Sequence, residues 1–335
     1  MTRAICVHPS FERVWPLAAE RCRERWPDAN FRRLEEEDER PLSEALSTPS
    51  SVTQLIALGV TVTPKCAEQL TALEEAAIYS HGYGIDPEVR AILGDGVTIH
   101  QHESEGFWGP SVSEFALGLT IAGLRRIPQL HHTIQTDLEP WNYEPRGTPG
   151  PGERGHQFGD DDRFTCGTIA RKRVRIVGVG NIGSRYASAS AHLGADVAAY
   201  DPFADEPCFH RAGATRVHTL DALVSDAEIF APMVPLTDAT RGLITAEHID
   251  ALPTGTLVVL ATRAQIVETD ALRERVMNDE LALAADVWDG NPGEPLPLDD
   301  PLLGRHNVVH TPHAAGRTRD ANMRWADELI DRFDG

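Results

Sequence analysis

Residues 173–202 read RVRIVGVGNIGSRYASASAHLGADVAAYDP. The segment begins with a short apolar, β-branched run and continues through glycines spaced as GxGxxG. A stretch of small residues then ends at Gly194, and a second apolar run occupies residues 197–200. This succession predicts a strand, a tight turn, a helix and a second strand. The glycines of the predicted turn are Gly178, Gly180 and Gly183.

An acidic residue, Asp201, ends the second apolar run. It follows Gly183 at about the distance, roughly 20 residues, at which an acidic side chain meets the adenosine ribose of NAD. The glycines of such a unit give a tight turn, a close backbone approach to the pyrophosphate and close helix packing. The alternative is an ordinary glycine-rich turn. The order and spacing of the strand, the helix, the second strand and the acidic residue favour a dinucleotide site. Asp201 favours NAD because a carboxylate would repel the 2′-phosphate of NADP.

Composition restricts the class of protein. The 335 residues are 41% hydrophobic, which predicts a large core and two domains. A formal net charge of −20 argues against nucleic acid or an anionic membrane as a partner, and it requires basic groups inside any site for an anionic substrate. No apolar run approaches the roughly 20 residues of a membrane span, and we expect no signal peptide. The five scattered cysteines predict neither a disulfide framework nor a metal site, so we expect a cytoplasmic protein.

The N-terminal part alternates strand-like and helical runs, which predicts a parallel sheet. Strands are predicted at residues 4–7, 53–58 and 76–80, and helices at 11–26 and 66–73. A glycine-containing turn follows the third strand. This turn either directs backbone N–H groups at an anion or simply connects two elements. Its residues are His81, Gly82, Tyr83 and Gly84. Further on, His100 and His102 could hold a metal, but no third ligand lies near them in the sequence.

The C-terminal part begins with a long helix predicted at residues 112–135. A Pro/Gly-rich stretch at 139–159 follows, which is either a functional loop or a subunit arm. Beyond the GxGxxG unit, strands predicted at 228–231, 256–260, 281–287 and 308–310 alternate with helical runs and indicate a doubly wound sheet. A last helix is predicted at 319–332, and we assign it to the first domain.

Three further segments follow predicted strands and therefore lie near the crevice where open α/β sheets bind ligands. They read LATRAQIVETDAL at 260–272, ADVWDGNPGEPLP at 285–297 and HTPHAAGRT at 310–318. The first places Arg263 just beyond a strand, and the third places His313 after Pro312.

These motifs recur in the order SVSEFALGL, IVGVGNIG with YDP, PLTDATRGLI, ATRAQIV, DV, EPLP and TPHAAG. With them the chain resembles the D-isomer-specific 2-hydroxyacid dehydrogenase family, which includes D-lactate, phosphoglycerate, formate and phosphite dehydrogenases and the glyoxylate and hydroxypyruvate reductases. The resemblance implies a Rossmann doubly wound, NAD-binding domain at residues 113–316. It also implies a smaller, flavodoxin-like α/β substrate-binding domain at 1–112 and 317–335, and a homodimer.

The resemblance also implies roles for single residues. Arg263 would hold the substrate carboxylate and polarise the C2 carbonyl, and His313 would give and take the proton. The chemistry of the two side chains suits these roles, because a guanidinium offers a planar fork for a carboxylate and an imidazole changes charge near neutral pH. The alternatives are a surface arginine and a hydrogen-bonded histidine. Asp286 would bond the nicotinamide carboxamide, and the turn at Tyr83 and Gly84 would bind the substrate carboxylate.

The expected contacts with cofactor and substrate form two sets. The cofactor set is Gly178, Gly180, Asn181, Ile182, Gly183, Asp201, Pro202, Pro235, Thr240, Ala261, Thr262, Arg263, Asp286, His313, Ala315 and Gly316. The substrate set is His81, Gly82, Tyr83, Gly84, Trp108, Arg263 and His313.

The third catalytic residue of the family is a glutamate that stabilises the imidazolium, and two positions compete for this role. Counting from the Asp of the DV pair reaches Asn291, whereas counting back from His313 reaches Glu294. A three-residue insertion within 289–293 reconciles the two counts, and we therefore expect Glu294 to join Arg263 and His313. An amide at Asn291 would instead resemble formate dehydrogenase, which needs no acid-base step. Trp108 argues against that alternative, because an asparagine is expected there for so small a substrate.

The sequence therefore predicts an NADH-dependent reductase that converts a 2-oxo acid into a D-2-hydroxy acid. One alternative is a dehydrogenase of formate or phosphite. The other is a regulator of the same fold that binds NAD without turning over a substrate.

Overall fold

The computed structural model describes residues 2–80, 85–102, 106–137, 159–288 and 295–334. The chain divides into two compact units. The first comprises Met1–Phe107 and Arg317–Gly335, and the second is Trp108–Gly316. Each unit is built on its own parallel sheet. Within the described ranges, no helix has both the length and the apolar character that a membrane crossing requires.

The first unit contains a five-stranded sheet in the order β2-β1-β3-β4-β5, with every pairing parallel. All five residues of the central strand β3 are buried, as expected for a strand covered on both faces. This strand order is that of flavodoxin-like folds, so the predicted fold class of the smaller unit is confirmed. The strands are β1 (Arg3–Val7), β2 (Asn30–Arg33), β3 (Gln54–Leu58), β4 (Glu75–Tyr79) and β5 (Thr98–Ile99).

The helices of the first unit are α1 (Pro9–Glu12), α2 (Ala18–Arg25), α3 (Leu42–Ala45), α4 (Pro64–Gln69), α5 (Pro87–Leu93) and α13 (Arg319–Asp334). The C-terminal helix α13 packs against α2, where Arg21 Nε donates to Asp327 Oδ1 at 2.8 Å. The single helix expected at 11–26 is two helices instead. Pro16 lies between them, and a proline disfavours helical backbone in the residue before it.

The second unit contains a seven-stranded parallel sheet in the order β12-β11-β10-β9-β6-β7-β8. The chain runs from β6 outward to β8, returns to β9 on the other side of β6 and then runs outward to β12. This reversal creates the crevice typical of doubly wound sheets, so the predicted Rossmann fold is confirmed. The strands are β6 (Arg173–Val177), β7 (Asp196–Tyr200), β8 (Thr215–Arg216), β9 (Ile229–Pro232), β10 (Leu257–Leu260), β11 (Ala282–Ala285) and β12 (Val308–His310).

Both faces of this sheet are covered. Along β10, Leu257 and Val259 belong to one hydrophobic cluster, whereas Val258 and Leu260 belong to another on the opposite face. Successive side chains of a strand point to opposite faces, so a strand buried on both sides is a continuous apolar run. The helices that cover the sheet are α6 (Gly109–Arg125), α7 (Ile127–Thr133), α8 (Asn181–His192), α9 (Glu206–Ala212), α10 (Leu220–Val224), α11 (Ala246–Ala251) and α12 (Thr269–Met277).

The long helix expected at 112–135 is divided at Arg126, which has a left-handed backbone with φ of 50°. Pro128 follows in the first turn of α7, where its missing N–H breaks the helical hydrogen-bond ladder. Gln129 lies in α7, just after this break. Its Nε2 donates to the carbonyls of His306 and Val308 at 3.3 and 2.9 Å. This side chain thereby covers part of the exposed edge of β12.

Candidate active site

The residues predicted to bind cofactor and substrate in the second unit follow the carboxyl ends of neighbouring strands. Because all strands of the sheet are parallel, these ends meet along one edge. Gly178 follows β6, and Asp201 follows the adjacent strand β7. On the other side of the crevice, Arg263, Asp286 and His313 follow β10, β11 and β12. The strands β10 and β12 flank β11, which separates them by roughly 10 Å.

Two glycines of the GxGxxG turn are required by the packing of the chain itself. Gly178 has a φ of 93°, and a Cβ at this position would lie 2.7 Å from Cγ1 of Val234. A Cβ on Gly183 would lie 2.1 Å from the carbonyl oxygen of Gly178. Gly180 is different, because in the described part of the chain no heavy atom beyond its neighbours lies within 4 Å of a Cβ built there. No internal contact therefore explains the glycine at 180.

The carboxylate of Asp201 is oriented by three backbone N–H groups. Oδ2 accepts from Val179 at 3.0 Å, and Oδ1 accepts from Phe203 at 3.0 Å and Ala204 at 3.2 Å. The first of these bonds ties the end of β7 to the glycine turn. A carboxylate offers about four acceptor sites, so Asp201 retains capacity for a further donor such as a ribose hydroxyl. The exposed Pro202 follows it.

The loop after β9 is stabilised by Thr240, whose Oγ1 donates to the carbonyl of Pro235 at 2.5 Å and accepts from Thr237 N at 2.8 Å. The buried residues Ala261 and Thr262 follow the neighbouring strand β10. Thr262 Oγ1 donates to the carbonyl of Pro232 at 3.3 Å, which links the ends of β10 and β9.

The first turn of α8 contains the remaining residues predicted for the cofactor on this side. Asn181 is the first residue of the helix, and a Cβ on Gly109 would lie 2.5 Å from its Oδ1. The N-terminus of α6 therefore packs directly against that of α8. Ile182 is partly buried against the core of the unit.

Arg263 is exposed at the end of β10, and its backbone is extended with φ of −151°. Its Nη1 donates to the carbonyl of Thr262 at 2.7 Å, and the buried residues Ala264 and Ile266 fix the turn that follows. Among the described residues, no carboxylate forms an ion pair with Arg263. Its charge is thus available to an anionic ligand.

His313 has a left-handed backbone with φ of 56°, which is uncommon for a residue other than glycine. Its N–H donates to the carbonyl of Thr311 at 3.0 Å, which closes a tight turn around Pro312. The turn lies beside Asp286, which is fully buried and accepts from Thr311 Oγ1, Ala314 N and Ala315 N. Unusual backbone conformations of this kind concentrate at functional sites.

The N-terminus of α6 contacts the same turn. The ring of Trp108 lies against Gly316, and Ser111 Oγ donates to the carbonyl of Ala315 at 2.5 Å. The residue types of Ser111 and Thr311 do not by themselves indicate a role. Ser111 begins the motif SVSEFALGL and Thr311 begins the motif TPHAAG. Membership in these motifs is the only feature of the sequence that points to the two residues.

The histidines singled out in the first unit have internal partners. The ring of His102 bonds Tyr79 Oη at 2.7 Å and the carbonyl of Trp325 at 2.9 Å, and burial lowers the pKa of His102. His100 Nε2 lies 2.6 Å from Glu75 Oε2. Across the described residues, no group of three or more metal-binding side chains occurs. These contacts are those of residues that stabilise the unit.

Several predicted residues lie outside the described ranges. They are the turn His81, Gly82, Tyr83 and Gly84, the competing Asn291 and Glu294, and all but the last residue of the loop at 139–159. The roles assigned to them stay predictions.

The second unit is similar to the NAD-binding domain of a known family. The family model described as D-isomer specific 2-hydroxyacid dehydrogenase, NAD binding domain, matches residues 117–315. A D-3-phosphoglycerate dehydrogenase of Archaeoglobus fulgidus is 32% identical over 214 residues, which is 64% of this chain and 36% of that protein. An erythronate-4-phosphate dehydrogenase of Chromohalobacter salexigens is 38% identical over 164 residues, which is 48% of this chain and 40% of that protein. The chain thus spans less than half the length of these two curated relatives.

The fold agrees with that of solved structures over the whole chain. The crystal structure of a phosphoglycerate oxidoreductase from Rhizobium etli superposes with a TM-score of 0.73 at 18% sequence identity, covering 100% of this chain and 94% of that one. At this level of identity the likeness establishes the fold.

Proposed function

Because the chain belongs to the D-isomer specific 2-hydroxyacid dehydrogenase family, we propose that it uses NADH to reduce a 2-oxo acid to a D-2-hydroxy acid. The observation that carries this proposal is the His313 turn. A histidine held in a left-handed backbone after β12 lies two strands from Arg263, which forms no ion pair with a carboxylate of the described residues. Together they combine a proton donor with a binding group for a carboxylate.

The second unit has the features that an NAD(H) site requires. Gly178 and Gly183 bring the turn close to the N-terminus of α8. Gly180 leaves space beside that terminus which no described residue fills. Helix N-termini of this kind bind phosphate groups. Asp201 stands at the end of the adjacent strand, ready to accept from ribose hydroxyls. NAD(H), when bound, supplies or accepts the hydride.

In this mechanism Arg263 holds the carboxylate of the 2-oxo acid. A guanidinium can form two parallel hydrogen bonds with a carboxylate, which fixes the plane of the substrate as well as its position. The same charge stabilises the negative charge that develops on the carbonyl oxygen during reduction. The absence of an internal carboxylate partner among the described residues supports this use of Arg263.

His313 completes the reaction as a general acid. As C2 receives the hydride, the cationic imidazole donates its proton to the carbonyl oxygen, so that the product carries a hydroxyl and the imidazole becomes neutral. Oxidation of the alcohol uses the same groups in reverse. We retain Glu294 as the expected partner of the imidazolium, with Asn291 as the alternative. The turn at Tyr83 and Gly84 is the proposed second contact for the substrate carboxylate.

Trp108 is proposed to form one wall of the substrate pocket. Its contact with Gly316 places the indole on the turn that carries His313.

We expect the protein to be a homodimer in the cytoplasm. We also retain the proposed contact between Asp286 and the nicotinamide carboxamide.

The direct test follows the absorbance of NADH with a panel of 2-oxo acids, from glyoxylate and pyruvate to bulky and phosphorylated ones. Formate and phosphite are assayed beside them with NAD. We expect one 2-oxo acid to be reduced well above the others, with D-configuration in its product. Activity with formate or phosphite alone would contradict the proposal. NADH binding without turnover of any compound would identify a regulator instead.

A further inference from the structure

Asp286 does more in this unit than its expected contact with the cofactor explains. Its side chain is 0% exposed, and both carboxylate oxygens point into the segment 311–315. Oδ1 accepts from Thr311 Oγ1 at 2.6 Å and from Ala314 N at 2.9 Å, and Oδ2 accepts from Ala315 N at 2.8 Å. The donors therefore lie on both sides of His313 in the sequence.

These contacts account for every backbone N–H of the segment. Thr311 N donates to the carbonyl of Ala285 at 3.0 Å, and His313 N donates to the carbonyl of Thr311 at 3.0 Å. Pro312 has no N–H. The two remaining groups, those of Ala314 and Ala315, donate to Asp286. The turn is thus closed by one internal backbone bond. The other three backbone N–H groups and the Thr311 hydroxyl attach it to Ala285 and Asp286 at the carboxyl end of β11.

A buried carboxylate is stable only where hydrogen-bond donors replace the water it has lost. In the described part of the chain, no cationic side chain forms an ion pair with Asp286, so the donors of the His313 turn take this role. The dependence is mutual. If the turn relaxes, Asp286 loses its donors, and if the carboxyl group of Asp286 is removed, two backbone N–H groups lose their acceptor. This mutual dependence opposes relaxation of the left-handed backbone of His313.

We propose that Asp286 and Thr311 are positioning residues that hold His313 in the orientation for proton transfer. The inference rests on the proposed function, which makes His313 the proton donor. It differs from the expected contact between Asp286 and the nicotinamide carboxamide, because that contact needs no hydroxyl at position 311. Substitution of Thr311 therefore separates the two roles.

The test uses Thr311→Val, which removes the hydroxyl and keeps the shape, and Thr311→Ser, which restores it. The matched control is Thr256→Val. Thr256 is also buried, and its Oγ1 donates to carbonyls of Ala227 and Pro253, but it precedes β10 at the opposite edge of the sheet. Thermal melting of each full-length variant records its stability.

We expect Thr311→Val to lower kcat roughly 10-fold to 100-fold at saturating NADH, because small errors in the position of a catalytic group have effects of this size. The Kd of NADH should change less than about 2-fold, and Thr311→Ser should recover most of kcat. Thr256→Val should lower the melting temperature and leave kcat unchanged. Wild-type kcat in Thr311→Val would overturn the inference, as would an equal loss of kcat in Thr256→Val.

A second readout does not depend on turnover. The imidazole resonances of His313, assigned by their loss in His313→Asn, should shift or broaden in Thr311→Val and Asp286→Asn but not in Thr256→Val. Unchanged His313 resonances in Thr311→Val would overturn the inference even if the wild-type protein reduced no 2-oxo acid. Inactivity of the wild-type protein together with shifted resonances would instead contradict the proposed function alone.

Discussion

Trp108 and Gly316 are in such close contact that a Cβ on Gly316 would lie 2.4 Å from Cε3 and Cζ3 of the indole. Trp108 precedes α6, and Gly316 ends the turn that carries His313. Real Cβ atoms do not approach other atoms this closely, so the glycine is required for the indole to lie where it does. The shape of the proposed pocket thus depends on a residue that has no side chain.

Gly316→Ala should displace the indole of Trp108. We expect kcat/KM for the best substrate to fall roughly 10-fold and the free energy of unfolding to fall by about 1–3 kcal/mol, as for other overpacked sites. The matched control is Gly118→Ala in α6, where a Cβ would have no neighbour within 4 Å among the described residues outside its own helix backbone. The free energy of unfolding of that variant should rise by about 0.5–1 kcal/mol, because alanine is more favourable than glycine inside a helix.

The double variant Trp108→Ala with Gly316→Ala identifies the cause. Once the indole is removed, the alanine should have little further effect on stability, so the two changes should not add. Additive losses of stability would show that the methyl group clashes with something other than Trp108.

Arg263→Ala should abolish most activity while the protein still binds NADH. Loss of a group that stabilises charge in the transition state typically costs 10²-fold to 10³-fold in rate. The Kd of NADH, measured by fluorescence, should change less than about 2-fold because Asp201 and the glycine turn are untouched. Arg211→Ala in α9 is the control, since this arginine is also exposed in the same unit. Unchanged turnover in Arg263→Ala would remove Arg263 from the mechanism.

Asp201→Ala should weaken the binding of NADH relative to NADPH. Hydrogen bonds to a charged group contribute about 1.5–3 kcal/mol, so the ratio of the two dissociation constants should change by roughly 10-fold to 100-fold. Asp205→Ala removes an exposed carboxylate that makes no capping bond at the start of α9, and it should leave the ratio unchanged. If the ratio of the NADH and NADPH dissociation constants were the same in Asp201→Ala as in the wild type, the ribose site would lie elsewhere.

Acid should remove one contribution to stability in the second unit. Arg175 is 7% exposed and donates to both oxygens of Asp226, at 2.7 Å from Nε and 2.6 Å from Nη2. These hydrogen bonds hold the pKa of Asp226 below its ordinary value. A carboxylate whose pKa is lowered by folding stabilises the fold above its unfolded pKa, near 4, and this stabilisation is lost as the pH falls through the folded pKa.

Asp226→Ala should therefore lower the melting temperature by a few degrees at pH 7, and the difference from the wild type should narrow below about pH 4. The expected loss is about 1–2 kcal/mol, less than for a fully buried pair, because the Asp226 side chain is 48% exposed. Asp196→Ala is the control, since its carboxylate lies 3.4 Å from Arg175 and is 62% exposed. A difference that stays constant from pH 7 to pH 3 would contradict this account.

The sequence was informative where short-range pattern decides structure. The strand, turn, helix and strand around Gly178 depend on apolar runs and glycines within one segment, and the structure confirms the predicted Rossmann fold. The positions of Arg263 and His313 after strands could also be predicted, because the carboxyl ends of parallel strands share an edge.

Other features depend on contacts that no local pattern encodes. Strand β2 has the burial pattern of an edge strand, with Phe31 as its one apolar residue, and it is recognisable only by its pairing with β1. The bond between Thr311 and Asp286 joins residues 25 positions apart. His102 looked like a candidate ligand by residue type, whereas its bonds to Tyr79 and Trp325 place it within the first unit's own packing.

In the proposed reaction, His313 donates the proton to a 2-oxo acid. The most direct measurement is single-turnover oxidation of bound NADH by the best 2-oxo acid, in the wild-type protein and in His313→Asn. Asparagine tolerates the left-handed backbone at this position, so the turn should persist. We predict that NADH oxidation slows roughly 10²-fold to 10⁴-fold, the range for loss of a general acid, while the Kd of NADH stays within about 2-fold. Oxidation at the wild-type rate in His313→Asn would contradict the account.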